Sequence, residues 1–411
     1  MRNYINTVSD MVNQSMPSLL WNSYGFGAPN FSGLGIEIRK DAPVLTSTEG
    51  AWDATYGAMC WSQVNLEANA FGSLPKNPHR TSGWRVITAA SATANGGISE
   101  SAALPATVKP TFAKLYAKPK LVANNFDMST LQELMAKTPT EDAAPGMDVL
   151  RAQEAMTHKN LLNRMLLVDV SARLAIAAAH RDITGDATYW YDMETLDRIV
   201  SSDSEEDAFG SSYNNWFDPY LQDATIDRDS GTTYDSYVSH ASGTDRAISH
   251  ALMHTVFQNI EDNAGNTTFL LTGHDTYHNI IQLYDNATGT MQYNVLGVAP
   301  ITVGVNGVQA ESGIPVTPGV ATLYGKPIIT SANVPKDGSS RVFFLDTSDP
   351  EGFGLPRLGI DVAMPTAYFE SGISKGDPFG LNRVGDEGMF LTVGEVRCRN
   401  FKAQGKLRDL S

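Results

Sequence analysis

The stretch that decides the fold is Gly96-Gly97-Ile98-Ser99-Glu100-Ser101-Ala102-Ala103-Leu104-Pro105, followed by Thr107-Val108-Lys109-Pro110. The segments before it, Trp84 to Thr88, and after it, Phe112 to Val122, are rich in the β-branched and aromatic residues that favour strands. The glycines between them supply a turn. The tip is small and polar, so it cannot form a core. The pattern predicts a long exposed hairpin, and such a hairpin usually contacts another chain.

Length and apolar content indicate a globular protein. Of the 411 residues, 42% are hydrophobic and 9% aromatic, enough for two or three compact regions. The longest apolar runs, Met165–Val168 and Phe269–Leu271, are far shorter than the roughly 18 residues that cross a bilayer. The N-terminus is polar and lacks the pattern of a signal peptide. The sequence therefore predicts a protein that is made in the cytoplasm and has no membrane partner.

Charge and cysteine content argue against a nucleic-acid-binding protein and against a disulfide-stabilised fold. The formal net charge is −15, and no Lys/Arg cluster tracks a nucleic-acid backbone. Cys60 and Cys398 are far apart in the sequence, which excludes a disulfide framework and predicts two buried free thiols. The Asp-rich, Lys-poor balance is also typical of a protein from a high-salt host.

An ordered set of motifs carries a resemblance to a known family. The set comprises Val64–Phe71 with Leu74-Pro75-Lys76, the hairpin with Lys118-Pro119-Lys120, a long helical stretch near 147 to 181, Leu323–Ile328 and Gly394–Asn400. In this order the chain resembles the major capsid proteins of tailed double-stranded DNA viruses, which have the Hong Kong 97-type capsid fold. The acidic composition would suit an archaeal member from a haloarchaeal tailed virus.

The resemblance implies an α+β fold in six parts. These are an N-terminal arm (1–78), an extended hairpin or E-loop (79–125), a peripheral domain with a spine helix (126–185), an acidic and aromatic insertion (186–243), an axial α/β domain (244–365) and return strands of the peripheral domain (366–411). Independently of the resemblance, apolar residues at spacings of three and four predict the spine helix from about Met147 to His180. Alternating helices and strands after Thr244 predict a compact α/β layer, with Gly325 and Pro327 forming a tight turn between two of its strands.

The insertion carries an acidic run from Ser201 to Asp207. Carboxylates suit calcium or magnesium, but the spacing matches no known calcium motif. We therefore expect a solvated acidic surface, in an insertion that packs on the spine helix or on a neighbouring subunit.

The resemblance also implies an assembly interface, because in this family the hairpin overlaps the adjacent subunit and the arm lies over its neighbours. The residues expected there are Gly96, Gly97, Glu100, Leu104, Pro105, Lys109, Trp21 and Phe26.

Two pairs of histidines are the best case for a different class of protein, a metal-dependent hydrolase. His250 and His254 lie four apart on one predicted helix, and His274 and His278 lie four apart on the next, so together they could build a zinc site. However, a His-Glu-x-x-His helix needs a glutamate as general base where this chain has Ala251. The histidines also lie opposite the apolar stripe. We expect no metal, no cofactor and no catalytic residue.

The expected function is therefore structural. The protein would self-assemble into homo-pentamers and homo-hexamers of an icosahedral virion shell, built in the host cytoplasm, that encloses double-stranded DNA without tight contacts. Separate scaffold, portal and decoration proteins are further expected partners. An encapsulin-like compartment shell is the alternative with the same fold, disfavoured by the extra length, the arm and the insertion. A surface-layer protein would fit the acidity but lacks its signal peptide. Since no Lys, Asn and Glu triplet of a cross-linking capsid can be matched, non-covalent assembly is expected.

Overall fold

The chain divides into two compact units. A computed structural model describes residues 67–78, 83–89, 100, 109–129, 147–170, 191–209, 221–222, 234–286, 296–299, 320–372 and 385–411. Unit 1 comprises 1–66, 123–158 and 366–391, and unit 2 comprises 67–122, 159–365 and 392–411.

Helices and strands alternate along much of the described chain. The helices are α1 (Asn69–Ser73), α2 (Met147–Leu166), α3 (Leu196–Ile199), α4 (Asp203–Phe209), α5 (His250–Asp262) and α6 (His274–Asn286). The strands are β1 (Lys76–Pro78), β2 (Gly83–Ala89), β3 (Thr111–Tyr116), β4 (Lys120–Ser129), β5 (Leu221–Gln222), β6 (Tyr237–Ser239), β7 (Phe269–Thr272), β8 (Leu296–Ala299), β9 (Val320–Leu323), β10 (Lys326–Thr330), β11 (Val342–Leu345), β12 (Leu358–Gly372), β13 (Gly385–Cys398) and β14 (Gly405–Leu407). Within the described residues, no helix is both long and apolar enough to span a bilayer.

Unit 2 is built on a seven-stranded mixed sheet in the order β6-β14-β11-β7-β10-β9-β8. Its central strand, β7, pairs in parallel with β10 and antiparallel with β11. Every residue of β7 and of β11 is buried, which is the pattern of strands covered on both faces. The sheet therefore separates two cores.

Alternate residues of the central strands enter opposite cores, as the two-residue period of a strand requires. One core contains Phe269, Leu271, Phe343 and Leu345 with Leu162, Leu166, Leu196 and Val396. The other contains Leu270, Val342 and Phe344 with Met253, Val256, Phe257 and Ile260 of α5. Ser249 caps α5 by accepting a hydrogen bond from the Leu252 amide. The amphipathic helix and the α/β layer expected after Thr244 are therefore confirmed.

The spine helix is interrupted where the sequence predicts it to continue. It begins at Met147 as expected, but residues 167–169, after Leu166, are not helical, and Val170 is helical again. Beyond Leu166, Asp169 contacts Arg341, and the Val170 amide donates to Asp197. Tertiary contacts thus override the local spacing. Residues 171–190 lie outside the described part of the chain.

The turn between β9 and β10 also differs in detail from the expectation. Tyr324 and Gly325 form it, with φ angles of 50° and 77°, and two residues with positive φ suit the twist of a hairpin. Pro327, which we expected in the turn, instead lies in β10 opposite Thr322. The turn therefore depends on Gly325 and not on the proline.

Two smaller sheets complete the described structure. The long strands β12 and β13 lie in a four-stranded sheet of order β1-β12-β13-β4. The second sheet contains β2, β3 and β5, and it holds the base of the predicted hairpin.

Candidate assembly surface

The stem of the predicted hairpin is formed by β2 and β3. They pair antiparallel from Gly83 opposite Tyr116 to Ala89 opposite Thr111, with an irregularity between Ile87 and Ala89. This confirms the two strands on either side of the decisive stretch. Residues 90–99 and 101–108, which contain most of the tip, lie outside the described residues.

The stem has a buried face and an exposed face because its side chains alternate. Trp84 and Leu115 are cross-strand partners on the buried face, and Leu115 is fully buried. Ile87 and Phe112 are partners on the other face, where they are 64% and 53% exposed. Two large apolar side chains therefore stand side by side in solvent.

Two cationic side chains also stand on the exposed face. Arg85 lies directly opposite Lys114, and both side chains are exposed. Like charges at opposed positions destabilise a pair of strands. Arg85 is stacked near the Phe112 ring, with its guanidinium carbon 5.8 Å from the ring centroid. An apolar, cationic face of this kind suits contact with an acidic surface.

Of the eight residues predicted for the interface, two are described. Glu100 and Lys109 are both exposed, and in the sequence they flank residues 101–108. The other six, which lie outside the described residues, are Gly96, Gly97, Leu104, Pro105, Trp21 and Phe26. The sequence analysis did not predict Ile87 and Phe112 as interface residues. Side chains alternate along each strand, so the inward positions of Trp84 and Leu115 place Ile87 and Phe112 on the outward face.

The paired histidines lie on the surfaces of α5 and α6. His250 is half-buried, and His254, His274 and His278 are exposed. The His254 ring packs edge-on to Tyr324 at a centroid distance of 6.4 Å. Among the described residues no group of three or more His, Cys, Asp or Glu side chains could hold a metal ion. Metal binding by the four histidines therefore gains no support.

Three cations and three of the carboxylates that they pair with meet inside unit 2. They are Arg341, Lys406 and Arg408, with Asp197, Glu205 and Asp337. Lys406 Nζ lies 2.9 Å from Asp197 Oδ1 and 2.7 Å from Glu205 Oε1. Arg341 Nη1 lies 2.8 Å from Asp197, and Arg408 Nη1 lies 2.6 Å from Glu205. The cluster ties α3 and α4 to the C-terminal strand β14.

Asp337 closes this buried ion cluster by bridging the two arginines. Its Oδ1 lies 2.7 Å from Arg341 Nη2 and 3.2 Å from Arg408 Nη2. Burial alone would raise the pKa of Asp197, but Arg341, Lys406 and Arg408 outweigh burial and hold it well below its usual range. The Asp197 carboxylate therefore stays ionised in the folded protein.

The acidic run of the insertion is not the solvated surface that we expected. Ser201, Glu205 and Glu206 are buried. The Glu205 carboxylate is neutralised by Lys406 and Arg408 and also accepts a hydrogen bond from Ser201 Oγ at 2.6 Å. The prediction was wrong for Glu205 because Lys406 and Arg408 supply its counter-charges, whereas Asp207 is exposed as expected.

The sequence itself matches no protein-family profile and no curated protein. The structure is similar to the capsid asymmetric unit of cyanophage A-1(L), with a TM-score of 0.56 and 12% identity over 86% of this chain and 95% of that one. The chain has the Hong Kong 97-type capsid fold. The capsid of the native GTA particle gives a TM-score of 0.47, with 10% identity over 86% of this chain and 93% of that one. An encapsulin complex from Synechococcus elongatus gives a TM-score of 0.45, with 11% identity over 83% of this chain and 87% of that one.

Glu395 is one of several titratable groups that are buried outside the ion cluster. Glu395 of β13 is 2% exposed and accepts hydrogen bonds from the amides of Glu194, at 2.9 Å, and Val396, at 2.8 Å. Lys120 Nζ lies 3.6 Å from its other oxygen. Burial raises the pKa of Glu395 to about 7, although Lys120 and the amides favour the ionised form.

Glu395 should make stability depend on pH near neutrality. A carboxyl in the unfolded chain has a pKa of about 4.3, so between about pH 4.5 and 7 the folded protein binds more protons. The free energy of unfolding should therefore fall as pH rises through this window, by up to about 1.4 kcal/mol per pH unit. In Glu395→Gln this part of the dependence should disappear, as measured by urea unfolding at pH 5 and pH 7. Equal pH dependence in the two proteins would contradict the assignment.

Proposed function

We propose that this protein is a major capsid protein that self-assembles, through non-covalent contacts, into pentamers and hexamers of an icosahedral shell. The observation that carries the proposal is the exposed apolar face of the hairpin stem, with Ile87 beside Phe112, on a chain that has a capsid fold. Exposed apolar pairs on a rigid sheet are costly in water and are typical of an interaction surface.

The six-part organisation is included in this proposal. Residues 1–78 would act as the arm, 79–125 as the extended hairpin, and 126–185 with 366–411 as the peripheral domain around the spine helix α2. Residues 244–365 would form the axial domain around the seven-stranded sheet, and 186–243 would be an insertion anchored by the buried ion cluster. In this scheme the tip and the arm supply the contacts between subunits.

The proposed content of the shell is double-stranded DNA held without tight contacts. The net charge of −15 supports this, since each subunit repels the phosphate backbone on average. Scaffold, portal and decoration proteins, assembly in the host cytoplasm and a non-enzymatic role complete the proposal. A compartment shell of the same fold would enclose cargo protein instead, so the content of purified particles separates the two functions.

Electron microscopy of the purified protein tests the proposal directly. Expression of the chain, alone and together with a scaffold protein of a tailed virus, should give closed particles of uniform diameter that sediment far ahead of the 44.4 kDa subunit. A folded protein that stays monomeric in both settings, at high protein concentration and high salt, would overturn the assembly function.

A further inference from the structure

Positive charge is concentrated in the part of the sequence that contains the hairpin stem. Residues 76–120 include seven basic residues and one acidic residue, whereas the whole chain has 30 basic and 45 acidic residues. The basic residues are Lys76, Arg80, Arg85, Lys109, Lys114, Lys118 and Lys120, and the acid is Glu100. The net charge of −15 therefore does not describe this segment, which is suited to an anionic ligand.

A groove of about 510 Å³ lies beside the stem in unit 2. Trp84 and Ile87 of β2 line it, together with Phe353 from the loop that follows β11. Two exposed cations, Arg85 and Lys402, also line it, and in the described part of the chain neither takes part in an ion pair. The groove therefore presents positive charge that an anion would neutralise.

A third cation of the groove is only partly neutralised. Arg399 Nη2 lies 2.8 Å from Asp361 Oδ2, but the same oxygen lies 3.0 Å from Arg397 Nη1. Among the residues that line the groove one is acidic, Glu351, and it lies 3.7 Å from a fourth cation, Arg357. The lining thus carries more positive than negative charge.

The exposed ring of the groove is held in place by its backbone. Phe353 is 74% exposed, and the amides of Phe353 and Gly354 donate to the Asp349 carboxylate at 3.3 and 2.6 Å. Gly352 and Gly354 have φ angles of 68° and 70°, which glycine adopts at no steric cost. The loop is therefore tight, and a ring that is already fixed loses little entropy when a ligand stacks on it.

The lining selects a ligand that is both flat and strongly anionic. Four aromatic residues line the groove, namely Trp84, Tyr234, Phe353 and Phe401, and aromatic faces favour stacking with a planar ring. Two cations without an ion pair suit a phosphate monoester, which carries a charge of about −1.5 to −2 near pH 7, better than a single carboxylate. The volume lies within the range of about 300–1,000 Å³ that is usual for small-molecule sites.

We propose that the groove between the Phe353 loop and the hairpin stem binds one nucleotide. Its base would stack on Phe353, and its phosphate would pair with Arg85 and Lys402. A free mononucleotide and a nucleotide within a single strand share this chemistry. A groove of this size does not follow a duplex, so the inference neither depends on the proposed assembly function nor requires tight contacts with double-stranded DNA.

Calorimetric titration of the purified full chain tests the site with adenosine monophosphate, adenosine and a short thymidine oligonucleotide. Adenosine monophosphate should bind saturably, and adenosine should bind at least about tenfold more weakly because it lacks the phosphate. Arg85→Ala and Lys402→Ala should each weaken binding of the monophosphate by about tenfold or more. Lys109→Ala is the matched control, since Lys109 is exposed in the same basic segment but does not line the groove. It should leave the affinity unchanged.

The probes also distinguish the two sources of the nucleotide. Binding of the monophosphate alone identifies a free nucleotide, and binding of the oligonucleotide alone identifies a single strand. If neither binds, or if Arg85→Ala and Lys402→Ala bind as wild type does, the proposal is wrong. A polyglutamate peptide that binds where both nucleotide probes fail would show that the groove is a protein-binding surface instead.

Replacing the exposed ring separates stacking from charge. Phe353→Ala should weaken binding of the monophosphate by about tenfold, because the base loses its stacking partner. Binding of inorganic phosphate should not change, since both cations remain. The melting temperature should also stay the same because the ring is largely exposed in the unliganded protein. Equal affinity of inorganic phosphate and adenosine monophosphate for the wild-type chain would show that the groove binds anions without recognising a base.

Discussion

Replacing Lys406 with methionine is expected to lower the free energy of unfolding by about 3–5 kcal/mol. Lys406 is fully buried, and its ammonium group lies between the carboxylates of Asp197 and Glu205 at 2.9 and 2.7 Å. Methionine fills a similar volume but carries no charge. Two buried carboxylates would each lose one of their two counter-charges, and removing one partner of a buried ion pair leaves part of the desolvation cost uncompensated.

The matched control for this experiment is Lys402→Met. Lys402 is four residues away and exposed, so its loss should change the free energy of unfolding by no more than about 0.5 kcal/mol. Urea denaturation of the two variants at pH 7 gives the comparison. Equal stability of both variants would mean that the buried ion cluster does not hold α3 and α4 against β14.

The same cluster should make the protein sensitive to acid. The pKa of Asp197 is lower in the folded protein than in the unfolded chain, where a carboxyl titrates near 3.9. Its contribution to stability is therefore complete above pH 4 and is lost as pH falls below that value. The loss of stability due to Asp197 occurs at lower pH than the change due to Glu395, so a single pH series distinguishes the two groups.

The sequence alone was sufficient to predict those helices and strands whose apolar pattern is visible in the local sequence. The apolar stripe of α5 and the uninterrupted apolar run of β7 are visible in the local sequence, because burial of one helix face or of both strand faces sets the residue period. The hairpin stem was predictable for the same reason, since glycines separate two β-rich segments. The resemblance to capsid proteins then supplied the order of these elements.

The sequence was insufficient where distant residues decide the outcome. Asp197 and Lys406 are separated by 209 positions, and no local pattern reveals that the lysine will neutralise the acidic insertion. The end of α2 is a similar case, because Arg341 engages Asp169 just where the helical spacing would continue. Ion pairs between remote segments therefore account for these two wrong predictions.

Removing residues 92 to 106 is expected to abolish shell formation completely while leaving a folded subunit. The deletion lies beyond the last strand pair of the stem, Ala89 opposite Thr111. The buried Leu115 and its partner Trp84 keep their contacts, so the core of unit 2 loses no apolar burial. The tip is the part of the hairpin that we propose to overlap the adjacent subunit. Electron microscopy gives the particle count, and near-UV circular dichroism and melting temperature check the fold.

A second variant separates the loss of contact from a change in the stem. Replacing residues 92–106 by a Gly/Ser segment of the same length keeps the reach of the hairpin but removes Leu104, Pro105 and Glu100. If the tip acts through these side chains, this variant should also fail to form shells. If the tip acts only as a spacer, the Gly/Ser variant should assemble and the deletion should not. Closed particles from both variants would place the contacts between subunits on the stem, since both would then assemble without any tip side chain.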